Sequence, residues 1–227
     1  MSVSLLDSKI KLSESATYNI QDEKAHWESF KTSASWNGLS LAYVMSYTNK
    51  YNFDEDEGWV AETEKSFCPY SLSLSFSPST KTYYKWFNRI SFAPGLSTSS
   101  VADLLRPTNS SFIFTPNISF KINEFFTLSF SSSSKNSILY WYFNEGIYDN
   151  GLFGINAFPF NVLLDLINSF RFDNEDLRKT SGFKLKSLNV TMTHQLHDWS
   201  FNMTASVSPK IVSIIFLPSI NLFYQYI

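Results

Sequence analysis

The side chains best suited to chemistry lie close together in residues 193–199, which read THQLHDW. His194, His197 and Asp198 are residue types that bind zinc, and histidines three apart share one face of a helix. The flanking residues alternate between apolar and polar, which is typical of strands, and on a strand positions three apart point to opposite faces. The spacing therefore predicts strand ends or a turn here, with no metal site and no cofactor.

Other reactive patterns are equally incomplete. A serine nucleophile needs a strand-turn-helix setting such as G-x-S-x-G, and the sequence lacks one. The acidic run Asp54-Glu55-Asp56-Glu57 lacks the glycine and the distal glutamate of a calcium-binding loop, so we expect a solvated loop. Cys68 is the single cysteine of the sequence, which excludes a disulfide within the chain. We predict that the protein is not an enzyme.

A two-residue period dominates the rest of the sequence. Tyr70, Leu72, Leu74 and Phe76 alternate with serines, and similar rows recur at residues 127–131 and near the C-terminus. This period places one set of side chains on each face of a strand. Several rows continue for ten or more residues, roughly the 9–11 that a tilted strand needs to cross a bilayer. We expect an outward apolar face (Leu72, Leu74, Phe76, Leu128, Phe130, Leu222, Tyr224) and an inward hydroxyl face (Ser73, Ser75, Ser129, Ser131).

Composition agrees with strands that have lipid on one side. Aromatic residues make up 18% of the 227 residues and charged residues only 17%, whereas about a quarter of a soluble domain is charged. No segment approaches the roughly 18 consecutive apolar residues of a membrane helix. The net charge of −2 is nearly balanced, and no basic patch indicates nucleic acid.

The strands are predicted to form hairpins. We expect about ten or eleven strands, at residues 8–20, 27–36, 39–51, 67–77, 82–93, 111–122, 125–134, 137–143, 183–193, 200–208 and 211–226. Short turns at Asn37-Gly38, 78–80 and Asn123-Glu124 alternate with long loops at 52–65 and 94–110. Membrane barrels sort their connections in this way, with short periplasmic turns and long extracellular loops. The predicted fold class is an all-β, antiparallel transmembrane β-barrel segment.

One region breaks the two-residue period. Phe160, Leu163, Leu164, Ile167 and Phe170 recur at spacings of three and four, which predicts a short amphipathic helix over residues 161–169. Either it belongs to a packed extracellular or plug-like loop, or it lies on the membrane surface.

Several segments resemble the end of the LptD (OstA/Imp) family of lipopolysaccharide-assembly barrels. They are residues 115–122 (TPNISFKI), 131–136 (SSSSKN), 168–172 (NSFRF), 177–186 (LRKTSGFKLK) and 194–199 (HQLHDW). The resemblance covers residues from about 112 to the end, and its most specific motif comprises His194, His197, Asp198 and Trp199. It implies that residues 1–227 are the C-terminal part of an outer-membrane β-barrel domain in a Gram-negative-type envelope.

The resemblance also implies a function and partners. Proteins of this family take part in lipopolysaccharide transport: they accept the glycolipid from periplasmic bridge proteins, contain a plug lipoprotein (LptE-like), and release the glycolipid into the outer leaflet. Release occurs through a lateral gate between the first and last barrel strands. The last strand would be residues 211–226, with gate residues Ile211, Ile214, Phe216, Pro218, Ile220, Leu222 and Tyr224.

The residues at both ends of the sequence lead to further predictions. Many barrels end in phenylalanine as a signal for membrane assembly, and Phe223, Tyr224, Tyr226 and Ile227 stand in that position. The N-terminus lacks the basic start and apolar core of a signal peptide. This favours an incomplete barrel, without the family's periplasmic domain and first barrel strand.

Two alternatives stay open at this point. One is a general outer-membrane porin or surface barrel without a role in lipid export. The other is a soluble secreted β-protein, such as an adhesin or a carbohydrate-binding module.

Overall fold

The computed structural model describes residues 1–5, 10–20, 25–54, 56–142, 161–171, 173–196, 199–208 and 212–220. The described residues are all-β apart from two short α-helices and two 3-10 turns, and the strands belong to one antiparallel sheet of twelve strands. The strands are β1 (Ser2–Leu5), β2 (Ile10–Asn19), β3 (His26–Trp36), β4 (Leu39–Asp54), β5 (Gly58–Phe76), β6 (Tyr83–Lys85), β7 (Ile90–Asp103), β8 (Ser111–Ile122), β9 (Phe126–Asn136), β10 (Phe183–Gln195), β11 (Trp199–Val207) and β12 (Val212–Ile220).

Sheet order follows chain order almost throughout. The order is β1-β2-β3-β4-β5-β7-β8-β9-β10-β11-β12, and β6 pairs with β7 beside this path. Neighbours in sequence are therefore neighbours in space, as the predicted succession of hairpins requires. The strands β4 and β5 contain 16 and 19 residues, well beyond the roughly 5–6 residues usual in soluble proteins.

The chain divides into two compact units. The first comprises residues 1–77, 98–113 and 136–183, and the second comprises residues 78–97, 114–135 and 184–227. The first unit contains β1 to β5 and the two helices, α1 (Val162–Ser169) and α2 (Glu175–Thr180). The second contains β6, β11, β12 and most of β8, β9 and β10.

The predicted Asn-Gly hairpin is confirmed. Asn37 and Gly38 have φ angles of 46° and 83°, and Trp36 pairs with Leu39 across the turn. Two successive positive φ values give the turn the twist of its flanking strands, and Asn-Gly adopts them at low cost.

The predicted long loop at 52–65 is wrong, and the one at 94–110 is correct only over residues 104–110, which connect β7 to β8. Residues 52–54 and 58–65 belong to the β4–β5 hairpin, whose ladder continues until Asp54 pairs with Gly58. The Asp54 carboxylate accepts the backbone amides of Asp56 and Glu57 at 2.8 and 3.0 Å. Asp54, Asp56 and Glu57 thus lie at the tip of a long hairpin. Residues 94–103 lie in β7, which contains both Pro94 and Gly95.

Two predicted strands also differ. Residues 82–93 do not form one strand, because a turn separates β6 from β7. That turn contains Trp86, Phe87 and Asn88, all with positive φ. Residues 139–142 form a 3-10 turn instead of a strand. The predicted long loop after β4 is instead a short turn, so the expected alternation of short turns with long loops fails at this connection.

The predicted helix is confirmed as α1, at Val162–Ser169. The side chain of Asn161 caps its N-terminus by accepting the Leu163 amide at 2.8 Å. The sequence patterns missed α2, whose six residues are too few for a helical period. Asn174 caps it through the Leu177 amide, and Glu175 forms an ion pair with Lys179 four residues later.

Candidate functional site

The main candidate site is an exposed apolar band on one face of the first unit. At its centre, β4 and β5 place Leu41 opposite Leu74 and Leu39 opposite Phe76. Leu41 is 44% exposed and Leu74 is 46% exposed. The serines between them, Ser40, Ser73 and Ser75, are less exposed than these leucines. A soluble sandwich has the reverse arrangement, with leucines inside and serines in water.

The band continues across β3 and β2. Ala34 lies between Leu12 and Leu41 in register, and Trp36 lies between Ile10 and Leu39. The exposed members of the band are Leu12, Trp36, Leu39, Leu41, Tyr70, Leu72, Leu74 and Phe76. A contiguous apolar surface of this kind on a protein marks contact with a partner or with a membrane.

The opposite face carries hydroxyl groups that bond across strands. Ser13 and Ser33 are paired residues, and their hydroxyl oxygens lie 2.6 Å apart. The Ser73 hydroxyl donates to the Ala42 carbonyl on the neighbouring strand at 3.4 Å. These bonds satisfy small polar side chains that an ordinary core would exclude.

On β5 the predicted apolar residues are more exposed than the predicted hydroxyl residues, but on β9 the two sets do not differ in this way. Leu128, Phe130, Ser129 and Ser131 are all half-buried, so exposure does not separate the two sets. Leu222 and Tyr224 lie outside the described residues.

The expected gate strand is described over part of its length. The strand β12 pairs with β11 and ends the sheet order. Ile214 and Phe216 are 59% and 57% exposed. Pro218 is opposite Phe201, and Ile220 is opposite Trp199. A proline without an amide proton is tolerated on such an edge strand.

The remaining gate and assembly residues are outside the description. They are Ile211, Leu222 and Tyr224 of the gate, and Phe223, Tyr224, Tyr226 and Ile227 of the assembly signal.

The histidine motif lies where two strands meet. His194 lies near the end of β10, its ring 6.3 Å from the ring of Phe126, and Trp199 begins β11. The Leu196 amide donates to the Trp199 carbonyl at 2.8 Å, which joins the end of β10 to the start of β11. His197 and Asp198 lie outside the described residues. Within the described residues, no group of three metal-binding side chains occurs.

A buried polar cluster was not anticipated from the sequence. Asp165 of α1 is 1% exposed, and Asn136 at the end of β9 is fully buried. The Asp165 carboxylate accepts the Tyr142 hydroxyl and the Gly182 amide, while Asn136 donates to the same tyrosine. Burial, together with the negative charge of Asp165, raises the pKa of Tyr142 above its usual value.

This cluster joins α1 to β9 and to the start of β10. No Lys or Arg pairs with Asp165 among the described residues, and its Oδ2 atom accepts from two neutral donors. A Cβ atom at Gly182 would collide with the Tyr142 hydroxyl. Asp165 lies off the apolar period of α1, and the residues of that period, Leu163, Leu164 and Ile167, are exposed instead.

Among the described residues, no helix has the length and apolar character needed to span a membrane. Comparison with protein-family models, with curated proteins and with solved structures finds no match to this chain.

Proposed function

We propose that this chain is a segment of an outer-membrane β-barrel that takes part in the transport of lipopolysaccharide or a related glycolipid and its insertion into the outer leaflet. The observation that carries the membrane part is the apolar band of β2 to β5. In β4 and β5 the leucines are more exposed than the serines, and contact with lipid would stabilise apolar side chains in this arrangement.

Backbone geometry is compatible with this environment. A strand in lipid must have its amide and carbonyl groups paired, because each unpaired group costs several kcal/mol. The ladder of β4 and β5 is continuous apart from two bulges and covers nearly the full length of both strands. Among the strands that the structure describes, β1 and β12 stand at the two ends of the sheet order.

The export part rests on the β12 edge and on the resemblance of residues 112–227 to lipopolysaccharide-assembly barrels. A lateral gate needs a strand that pairs on one side and opens on the other. The strand β12 pairs with β11 alone in the described structure, and it carries exposed Ile214 and Phe216 next to Pro218. The partners under this proposal are the glycolipid, outer-membrane lipid, periplasmic bridge proteins and a plug lipoprotein.

The second candidate is a general porin. The hydroxyl-rich face of the strands supports a porin as well as it supports an export barrel. Depletion of the protein in its host cell separates the two. Under the export proposal, newly made glycolipid fails to reach the cell surface while uptake of small solutes is unchanged. Normal surface glycolipid together with reduced solute uptake would reject export and support the porin.

A further inference from the structure

A groove in the second unit is lined by charged and aromatic side chains that neither glycolipid export nor a porin requires. It has a volume of about 770 Å³, within the range of small-molecule sites. Alternate residues of β7, β8 and β9 line it, so the lining belongs to one face of these strands. The side chains that matter are Arg89, Lys121, Glu124, Tyr84 and Phe125.

Two cations face this groove without an acidic partner. Neither Arg89 nor Lys121 forms an ion pair within the part of the chain that is described. Glu124 also lines the groove, which leaves one net positive charge among the three groups. The guanidinium fork of arginine matches the oxygens of phosphate, and lysine adds a point charge. The groove therefore favours an anion with several oxygen atoms.

Two aromatic side chains also line the groove. Tyr84 and Phe125 are 60% and 53% exposed, so each has ring surface that a ligand can contact. An aromatic face packs against the apolar C–H face of a sugar ring, with the large contact area typical of aromatic side chains. Hydroxyl and amide groups complete the lining: Thr82, Asn88, Ser91, Ser119, Asn123 and Thr127.

The backbone holds the groove in shape. The Asn123 amide donates to the Arg89 carbonyl at 2.6 Å, which joins the β6–β7 turn to the β8–β9 turn. Trp86 and Phe87 have φ angles of 52° and 55°. Bulky residues rarely adopt this conformation, and such strain concentrates at functional sites. Both residues lie in the turn that carries Arg89.

We infer that this groove binds a phosphorylated sugar: Arg89 and Lys121 hold the phosphate, and Tyr84 and Phe125 pack against the ring. The inference goes beyond the export role, because a porin with the same groove would bind the same group. The sugar phosphate comes either from a glycolipid headgroup or from a free sugar phosphate.

Calorimetric titration of the folded chain in detergent with glucose 1-phosphate tests the inference. Arg89→Gln and Lys121→Gln should each weaken binding roughly tenfold, the loss expected for one charge-assisted hydrogen bond. Glu124→Gln should strengthen binding, because it removes a repulsive charge. Lys85→Gln is the matched control, since Lys85 lies in the same hairpin but does not line the groove.

The sugar contact has its own test. Phe125→Leu should weaken binding of glucose 1-phosphate while leaving binding of inorganic phosphate unchanged. Neutral glucose should bind far more weakly than glucose 1-phosphate. Circular dichroism confirms that each variant keeps its strand content. Equal losses for Lys85→Gln and Arg89→Gln, or no binding by the folded wild-type chain, would overturn the inference.

A final arm identifies the source of the phosphate. A phosphorylated glycolipid dispersed in the same detergent should displace glucose 1-phosphate, and its dephosphorylated form should not. Tighter binding of the glycolipid than of the free sugar phosphate supports a headgroup site, and equal binding supports a site for the free compound. Displacement by the dephosphorylated form to the same extent would contradict phosphate recognition.

Discussion

Leu74 and Ser75 are neighbours in β5, yet their side chains lie on opposite faces of the sheet. Leu74 pairs with Leu41 on the exposed band, whereas Ser75 pairs with Ser40 on the hydroxyl face. An arginine on a lipid face near the bilayer centre costs about 2–4 kcal/mol, and much less in a wet lumen. The two positions therefore provide a matched pair of variants.

We predict that Leu74→Arg impairs membrane assembly far more than Ser75→Arg does. Assembly is measured by the fraction of protein that migrates as a folded species after extraction from membranes. Equal tolerance of both arginines would contradict the assignment of the two faces.

The Asp165 cluster gives a second prediction at the scale of single residues. Asp165→Ala removes the acceptor for the Gly182 amide and the Tyr142 hydroxyl, and each unsatisfied buried group costs about 1–3 kcal/mol. We expect much faster hydrogen exchange at the Gly182 amide. Asp173→Ala, which removes an exposed ion pair with Arg171, is the control and should leave this rate unchanged. Unchanged exchange in Asp165→Ala would show that the cluster does not hold the helix.

At the scale of elements, the β4–β5 hairpin tip should respond to pH. Backbone hydrogen bonds from Glu57 and Asp56 lower the pKa of Asp54 below its ordinary value of 3.8. The ionised form is therefore favoured by folding. Its stabilisation is complete above pH 3.8 and is lost as the pH falls through the lowered pKa.

An NMR titration of the Asp56 and Glu57 amides should show a transition with its midpoint below 3.8. Asp54→Asn should abolish this transition. A midpoint at or above that value in the wild-type chain would reject the proposed cap.

The side chain of Asn117 on β8 lies close to the backbone of Gly95 on β7. A Cβ atom there would collide with the Asn117 side chain, so Gly95→Ala should lower the free energy of unfolding. If the collision is the cause, Asn117→Ala should restore part of the loss, because the two changes share one contact. Denaturant unfolding of the single and double variants measures this coupling. Additive effects would assign the loss to the backbone instead.

The elements also show what sequence patterns can and cannot predict. The two-residue period predicted β5 and its faces, and the Asn-Gly pair predicted the β3–β4 turn, because both signals are local. The sequence patterns missed residues 94–103 of β7, because Pro94 and Gly95 are typical of loops. Local sequence does not show that Gly95 lies against Asn117 of the neighbouring strand. The Asp165 cluster unites residues far apart in sequence, so no local pattern reveals it. The groove similarly depends on which strands become neighbours.

For the whole molecule, the gate hypothesis predicts that locking the free edge of β12 blocks export. A cysteine replacing Ile214 would be joined to a cysteine on the first strand of the full-length barrel, in a Cys68→Ala background. Surface glycolipid should fall under oxidising conditions and recover with a reductant, because lipid has to pass between the two strands.

The control for this experiment lies within the sheet. Ala205 and Ile214 are paired residues of β11 and β12, so a disulfide between cysteines at these positions leaves the outer edge free. Export should continue with this bond formed. Continued export with the gate itself locked would reject the lateral gate and favour the porin.

The central claim is that the leucine face of β5 contacts lipid while its serine face contacts water. Spin labels placed singly at positions 71 to 76, in the folded chain in a lipid bilayer and a Cys68→Ala background, test it most directly. We predict that labels at 72, 74 and 76 collide preferentially with oxygen, which concentrates in lipid. Labels at 71, 73 and 75 should collide with a water-soluble nickel complex. The opposite phase, or no two-residue period, would contradict a membrane-spanning β5.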